Sequence, residues 1–204
     1  MLPDPSVAAR RSSALAALRQ AEAAAAIHGL RPAGPHNDVA GDSEPDPQSV
    51  AKAIVLRQLA LGPRTRAQLD STLRRRGCDP EVAARVLDRM TEVGLIDDAA
   101  FAEQLVQSRQ RTKGLSGAAL RKELRDKGVD DELAVAAVGA LDDESERARA
   151  EQLAVKRLRS LGGLPPQVQA RRLAGMLARK GYSPGVAYAV VRDTLESAPE
   201  HQRD

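Results

Sequence analysis

One short pattern occurs three times in the 204-residue chain, at intervals of about fifty residues. In each copy two leucines stand eight and four positions before a glycine. The copies are Leu69, Leu73 and Gly77; Leu120, Leu124 and Gly128; and Leu173, Leu177 and Gly181. Leucines at this spacing share one face of a helix, and glycine commonly follows a helix end. A period near fifty residues therefore predicts an array of small supersecondary units.

Capping residues divide the sequence around each copy into three helices. Thr65 and Gln68 have the spacing of a capping box, and Asp79 precedes a proline at the first helical position. Further caps are predicted at Ser116, Asp130, Asp142 and Ser183. No segment alternates long enough to predict a strand. Because a three-helix unit cannot bury a deep core alone, we predict an all-α fold of three tandem three-helix repeats, which stack into an elongated, curved molecule.

The same signals give the boundaries of the segments. An N-terminal extension covers residues 1–47, with a helix at about 10–28 and a flexible linker at 29–47 that is rich in Pro, Gly and Asp. The repeats are predicted at 48–93, 94–141 and 142–197, followed by a frayed tail at 198–204. In the third repeat the first helix is expected to run to Gly162, with Arg157 on its inward stripe.

Composition limits the compartment and the kind of core. Aromatic residues make up only 1% of the chain, which predicts a core of Ala, Leu and Val and disfavours a base-stacking surface. The single cysteine, Cys78, excludes an intramolecular disulfide and suits a reducing compartment. No apolar run has membrane-spanning length, and we find no signal-peptide core. We therefore predict a cytoplasmic protein without a membrane partner.

The residues that usually carry catalysis are badly placed. His28 and His36 lie in or beside the linker, and His201 lies in the tail. Cys78 follows a repeat glycine, where the other copies have Val129 and Tyr182, and we interpret all three as packing residues. The chain has no phosphate-binding loop and no Rossmann fingerprint. The acidic pairs at 97–98, 130–131 and 142–143 all begin helices, which indicates capping. We predict no enzyme, no metal and no cofactor.

Basic residues exceed what helix ends require. The formal net charge is +3 with a pI of 9.3. Arg76, Lys127 and Lys180 precede the repeat glycines, where the helix dipole stabilises a cation. The remaining basic residues suit either a solvated charged face or a stripe that contacts a phosphate backbone or an acidic protein groove. The candidate contact residues are Arg66, Arg74, Arg75, Arg109, Arg111, Lys113, Arg121, Lys122, Arg125, Arg171, Arg172 and Arg179.

Several motifs in order and spacing resemble those of the RecX family of regulatory proteins. They are GLIDD at 94–98, FA at 101–102, KG at 113–114, LRKEL at 120–124, KGVD at 127–130 and LARKGYS at 177–183. The resemblance runs from about residue 49 to residue 195. Two departures are the first 47 residues and Leu95, which stands where the family commonly has an aromatic.

The resemblance implies an all-helical protein of tandem three-helix repeats that lies along the helical groove of the RecA recombinase filament on DNA. It further implies inhibition of the recombinase, ATPase and coprotease activities, which limits strand exchange and the SOS response. Some direct DNA binding is also implied. We expect a monomer whose second helices supply the basic contacts. Arg121 and Arg125 are the favoured pair, because the other repeats do not share them both.

A DNA-binding protein of tandem helix-turn-helix-like units is the alternative. It requires a helix that reads base edges and a sequence preference. The polar faces here favour Arg, Lys, Asp and Glu and offer no distinct Asn, Gln or Ser set, so this hypothesis ranks second. An enzyme ranks third, since no convergent site is predicted.

Overall fold

The computed structural model describes residues 46–139 and 141–198. Within these ranges the chain forms nine α-helices and no β-strand, which confirms the predicted all-α fold. The predicted N-terminal helix and the tail beyond residue 198 lie outside the described residues. No helix in the described part combines the length and the hydropathy that crossing a bilayer requires. The helices are α1 (Pro47–Ala60), α2 (Arg66–Arg75), α3 (Pro80–Glu92), α4 (Asp98–Lys113), α5 (Gly117–Asp126), α6 (Asp131–Gly139), α7 (Asp143–Leu158), α8 (Pro166–Arg179) and α9 (Pro184–Glu196).

The first repeat (α1–α3) belongs to a compact unit that ends at Asp97. Its three helices all contact one another and bury one apolar cluster. The predicted capping box at the start of α2 is present: the Gln68 amide donates to Thr65 Oγ1 at 3.1 Å, and the Thr65 amide donates to Gln68 Oε1 at 3.3 Å. The most deeply buried apolar side chains of this cluster are Ala51, Val55, Leu69, Leu73, Ala83 and Leu87.

The second repeat (α4–α6) and the third (α7–α9) form the other compact unit, which begins at Asp98. Each repeat has its own apolar cluster, with the repeated leucines at its centre: Leu120 and Leu124 in one, Leu173 and Leu177 in the other, all 0% exposed. The predicted caps at Ser116, Asp142 and Ser183 each accept a hydrogen bond from the backbone three residues on. Asp130 accepts one from the Glu132 amide.

Each of the three repeated leucine–glycine patterns ends its helix in the same Schellman motif. The glycine has a left-handed backbone, with φ of 76° at Gly77, 76° at Gly128 and 86° at Gly181. Its amide donates to the carbonyl three residues earlier, and the next amide donates to the carbonyl of the second leucine at 3.1–3.2 Å. The residue after the glycine therefore folds back onto the leucine, which explains the fixed leucine–glycine spacing. The residues so placed are Cys78, Val129 and Tyr182.

The third Schellman motif also joins the third repeat to the second. The Ser116 amide donates to the Lys180 carbonyl at 3.0 Å, and the Tyr182 hydroxyl donates to the Gly114 carbonyl at 3.2 Å. From α7, Glu146 Oε2 accepts from the Gly117 amide at 2.9 Å and so satisfies a free donor at the start of α5. We call this set of contacts the repeat junction.

One helix boundary predicted from the sequence is wrong. The helix α7 ends at Leu158, before the expected stop at Gly162. Both the amide and the hydroxyl of Ser160 donate to the Arg157 carbonyl, at 3.0 and 2.8 Å, and this local bonding replaces the helical pattern. Arg157 is exposed and does not lie on the inward stripe. Leu161, although outside the helix, is still buried in the core.

Replacing Gly181 with alanine should weaken the fold much more than the same change at Gly163. Both glycines have a left-handed backbone, with φ of 86° and 77°, so each Gly→Ala change adds strain of about 1–2 kcal/mol. At Gly181 the new Cβ would also lie 2.6 Å from the Ala119 Cβ and 2.7 Å from Ser116 Oγ, whereas Gly163 has open space. We expect Gly181→Ala to lower the free energy of unfolding by about 3 kcal/mol or more. Urea unfolding followed by circular dichroism measures both variants, and equal losses would contradict the tight junction.

The repeat junction should also weaken at high pH. Burial, reinforced by the negative charge of Glu146 and opposed by Arg149, raises the pKa of Tyr182 to about 12. In the unfolded chain a tyrosine titrates near pH 10, so the protonated phenol favours the folded state. Its contribution is complete below pH 10 and is lost as the pH rises from about 10 to 12. We expect the free energy of unfolding to fall by about 2–3 kcal/mol over this window, beyond the change from other groups.

The Tyr182→Phe variant is the control for this pH dependence. At neutral pH it should lose only about 1 kcal/mol, because one hydrogen bond to the Gly114 carbonyl is removed. Between pH 10 and 12 its free energy of unfolding should fall less steeply than that of the wild type. Parallel curves for the two proteins would show that Tyr182 does not titrate as the buried group described here.

Candidate basic interface

The second helices of the repeats, α2, α5 and α8, carry their basic side chains outside the face of the buried leucines. Each helix turns its two leucines inward, so the residue directly after a leucine flanks the buried face and more distant positions face solvent. Arg121 is half-buried, and Arg125 and Arg172 are exposed. The structure therefore places the nine candidates on these helices at the surface or at its edge. They are Arg66, Arg74, Arg75, Arg121, Lys122, Arg125, Arg171, Arg172 and Arg179.

In the first repeat the candidate cations have partners within the protein. Arg66 pairs with Asp88 of α3 at 2.7 Å, and Arg74 pairs with Asp70 one turn earlier at 2.9 Å. The Arg75 guanidinium donates to the Thr72 hydroxyl at 3.3 Å. These side chains are largely exposed, and pairs of this kind contribute about 0.2–1 kcal/mol each. They can therefore exchange their partner for an external anion.

The second repeat contains one ion pair that links two helices. Arg109 Nε of α4 lies 2.8 Å from Glu123 Oε1 of α5, and both side chains are mostly buried, with exposures of 31% and 23%. Arg109 therefore holds α4 against α5 and is a poor candidate for an external contact. Lys122 pairs with Asp126 at 2.7 Å, and Arg125 lies 3.7 Å from Asp131. Both of these pairs are exposed.

Six of the candidates form neither an ion pair nor a side-chain hydrogen bond with any described residue. These six cations keep their charge available for an external anion. The set includes Arg121, whose guanidinium forms no ion pair in the described part of the chain. The six are Arg111, Lys113, Arg121, Arg171, Arg172 and Arg179.

The sequence predictions missed a second basic group in the third repeat. Lys156, Arg157 and Arg159 lie at the end of α7 and just after it, all exposed and without an ion pair among the described residues. A signal for them was present in the sequence, because residues 152–192 contain no Asp or Glu at all. The basic residues of this acid-free segment are Lys156, Arg157, Arg159, Arg171, Arg172, Arg179, Lys180 and Arg192.

The repeat junction places the basic residues of the second and third repeats in one compact unit. The Lys180 ammonium donates to the Lys113 carbonyl, at the end of α4, and the Arg149 guanidinium donates to the Gln110 carbonyl at 3.5 Å. The start of α5 and the end of α8 therefore meet at the junction. Lys180 serves there as a structural cation, as its place in the helix cap suggests.

Side chains that could bind a metal ion or act as a nucleophile are few among the described residues. They contain no group of three or more His, Cys, Asp or Glu side chains that could hold a metal ion. Cys78 is a half-buried free thiol packed against the first apolar cluster, as its position in the repeat predicted. The three histidines lie outside the described residues. Asp142, whose pKa the Ser145 backbone amide and then its side chain hold below the usual range, is a helix cap.

Sequence models of three RecX domains match the chain in order. The first three-helix domain matches residues 51–90, the second matches 97–138 and the third matches 144–191. These ranges fall on α1–α3, α4–α6 and α7–α9. The repeat detected in the sequence is therefore the domain repeat of this family.

Similar proteins and solved structures agree with the domain matches. A Thermobifida fusca protein named Regulatory protein RecX is 52% identical over 147 residues, which cover 72% of this chain and 80% of that protein. Proteins of the same name from Streptomyces coelicolor and Mycolicibacterium smegmatis are 49% and 48% identical, over 78% and 80% of this chain and 85% and 90% of theirs.

The crystal structure of RecX from Lactobacillus salivarius has a TM-score of 0.66 at 21% identity, covering 73% of this chain and 97% of that one. A second structure, described as regulatory protein RecX, has a TM-score of 0.65 at 26% identity over 72% of this chain and 74% of its own. The relatives are named as regulators and not as enzymes. The chain belongs to the RecX family of regulatory proteins.

Proposed function

We propose that this chain binds the RecA filament on DNA and inhibits the recombinase, ATPase and coprotease activities of RecA. It would in this way modulate recombination, DNA repair and the SOS response. Membership of the RecX family supports a RecA partner. The single observation that supports the mode of binding is the surplus of unpaired cations on successive repeats.

A repeated basic surface suits a repeated anionic partner. A nucleoprotein filament presents phosphates and protein subunits at regular intervals, and each exposed cation can add one weak contact. Contacts joined in one chain act at a high effective concentration, so several weak ones give useful affinity without a deep pocket. The helices α5 and α8 carry unpaired cations and belong to the same compact unit, which fixes the spacing between their contacts.

Within α5, Arg121 and Arg125 are the proposed contact pair. They lie one turn apart and share a face of the helix. Arg121 has no ion pair among the described residues, and the Arg125 pair with Asp131 is long and exposed, at 3.7 Å. Neither side chain therefore has to leave a strong partner in order to bind.

Charge reversal at these two positions should weaken inhibition of RecA. We expect Arg121→Glu/Arg125→Glu to need at least tenfold more protein for half-inhibition, since two attractive contacts become repulsive and about 1.4 kcal/mol accounts for a factor of ten. The assay is DNA-dependent ATP hydrolysis by RecA, titrated with each variant at low and moderate salt.

The matched control for this experiment is Arg85→Glu/Arg89→Glu on α3. These arginines are exposed and one turn apart, and they lie 3.8 and 3.1 Å from acids on their own helix, so the double substitution changes the formal charge by the same amount. The control should inhibit RecA nearly as well as the wild type. If the α5 variant also inhibited RecA at wild-type concentrations, the proposed placement of the contacts would be wrong.

The acid-free segment should contribute to binding through phosphates. Removing Lys156, Arg157 and Arg159 together by alanine substitution should weaken binding to single-stranded DNA and to the RecA filament. The slope of log affinity against log salt should fall by about 2 if all three contact phosphates of a single strand. Fluorescence anisotropy with labelled oligonucleotides, with and without RecA, measures both slopes.

The same measurement separates filament binding from ordinary DNA recognition. A RecX-type regulator should bind the RecA filament more tightly than naked DNA. A strong sequence preference on naked DNA, with no preference for the filament, would instead support the helix-turn-helix alternative.

A further inference from the structure

An apolar groove of about 640 Å³ runs between α8 and α9 on the third repeat. Its floor on α8 consists of Ala170, Ala174 and Ala178, one residue per helical turn, together with Gly175. The opposite wall on α9 includes Val191 and other apolar side chains. Side chains this small keep the floor low, so that an incoming backbone can approach the two helices closely.

An exposed tyrosine stands at the edge of this groove. Tyr188 of α9 lines the groove and is 72% exposed. Tyr182 also lines the groove, but it is only 4% exposed and its hydroxyl is bonded at the repeat junction, and Phe101 packs against the second core. An exposed tyrosine beside an apolar surface has no role in this repeat's own core. Tyrosine is enriched among the residues that dominate protein interfaces.

The charge around the groove is positive. Arg171 lines it from α8 and Arg192 from α9, and the Arg179 guanidinium lies close to Gly175 on the floor. Both helices belong to the acid-free segment as far as Arg192. Arg192 is itself paired with Asp193, which also binds Arg147, at 2.7 Å. The positive charge that is not paired within the described residues therefore comes from Arg171 and Arg179. The groove therefore favours an acidic occupant over a basic one.

The composition of the floor distinguishes between two negatively charged occupants, a nucleic acid and an acidic protein helix. A nucleic acid would bring base edges that need hydrogen-bonding partners, and the alanines and Gly175 offer no side-chain donors or acceptors. An amphipathic helix instead buries an apolar face in a groove and keeps its charged residues at the rim. A volume of about 640 Å³ holds several large apolar side chains.

We propose that the α8–α9 groove binds an acidic amphipathic helix from a partner protein. The apolar face of that helix lies on the alanine floor beside Tyr188, and its carboxylates face Arg171 and Arg179. This protein-docking site goes beyond the proposed function, because the alanine floor and the exposed tyrosine contact an apolar helix face, and it shares only its rim arginines with the cations proposed to contact the filament. It depends on the geometry of the third repeat alone.

The test uses the full chain and a designed helical peptide of about 18 residues as the probe. The peptide carries leucines on one face and glutamates on the flanking positions, with a fluorescent label. A matched peptide has lysine in place of every glutamate, and a scrambled peptide has the same composition. Anisotropy titrations should show micromolar binding of the glutamate peptide and at least about tenfold weaker binding of the other two.

Two exposed positions allow the groove to be changed without disturbing the core. Ala178→Glu places a negative charge on the floor and should weaken the glutamate peptide by about tenfold or more, whereas Ala178→Gln, of the same size, should weaken it less. Tyr188→Ala should weaken it by about fivefold or more. Thermal melting is the control for folding, and all three variants should melt near the wild-type temperature.

Several results would overturn the inference. Equal binding of the glutamate and lysine peptides, or no binding of the glutamate peptide to the wild type at about 1 mM, would do so. Displacement of the peptide by an oligo-dT strand whose own affinity falls in Tyr188→Ala would identify a nucleic-acid surface. Self-association that disappears in Tyr188→Ala would identify a second copy of this chain as the occupant. If only peptide binding failed while RecA inhibition persisted, the proposed function would stand without this site.

Discussion

The Schellman ends of α2, α5 and α8 determine how each repeat folds. A glycine with positive φ reverses the chain directly after the second helix, and the following residue then packs over the second leucine. The third helix must begin within a few residues of that point, and it covers the leucines that the first helix covers from the other side. A residue with a side chain at the glycine would oppose this reversal by about 1–2 kcal/mol. The core of each repeat therefore depends on one backbone conformation.

The residue after the glycine is the variable part of the motif, and its variation gives the third repeat an additional contact. Cys78 and Val129 are short and pack within their own repeats. Tyr182 is long enough to bury its ring at the same position and to place its hydroxyl on the Gly114 carbonyl of the preceding repeat. Gly114 is itself constrained, because a Cβ there would lie 2.8 Å from the Leu153 side chain. Two glycines and one tyrosine thus fix the second repeat against the third.

Local signals in the sequence were sufficient for most helix boundaries, although not for the end of α7, and they were insufficient for the surface. The leucine–glycine spacing and the caps at Thr65, Ser116 and Ser183 depend on neighbours within about one turn, so they could be predicted and are confirmed. The pair of Arg109 with Glu123 joins two helices, and no local spacing distinguishes it from a solvated charge. The same limit hid the α8–α9 groove, because it exists only when both helices are packed. The acid-free segment is evident in the sequence. Most of its basic residues could be recognised as unpaired only once the structure showed which other cations form ion pairs.

The helix α8 shows how one short element can serve several contacts at once. Leu173 and Leu177 face the core, Ala174 and Ala178 face the groove, and Arg172 faces solvent. A helix divided in this way cannot make any one contact strong, since each face is only two or three residues long. Exposed ionic contacts contribute about 0.2–1 kcal/mol each, so affinity for a filament must come from their number and spacing. The repeat junction is then a functional feature as well as a structural one, because it holds the contacts of α5 and α8 at a fixed separation while each remains individually weak.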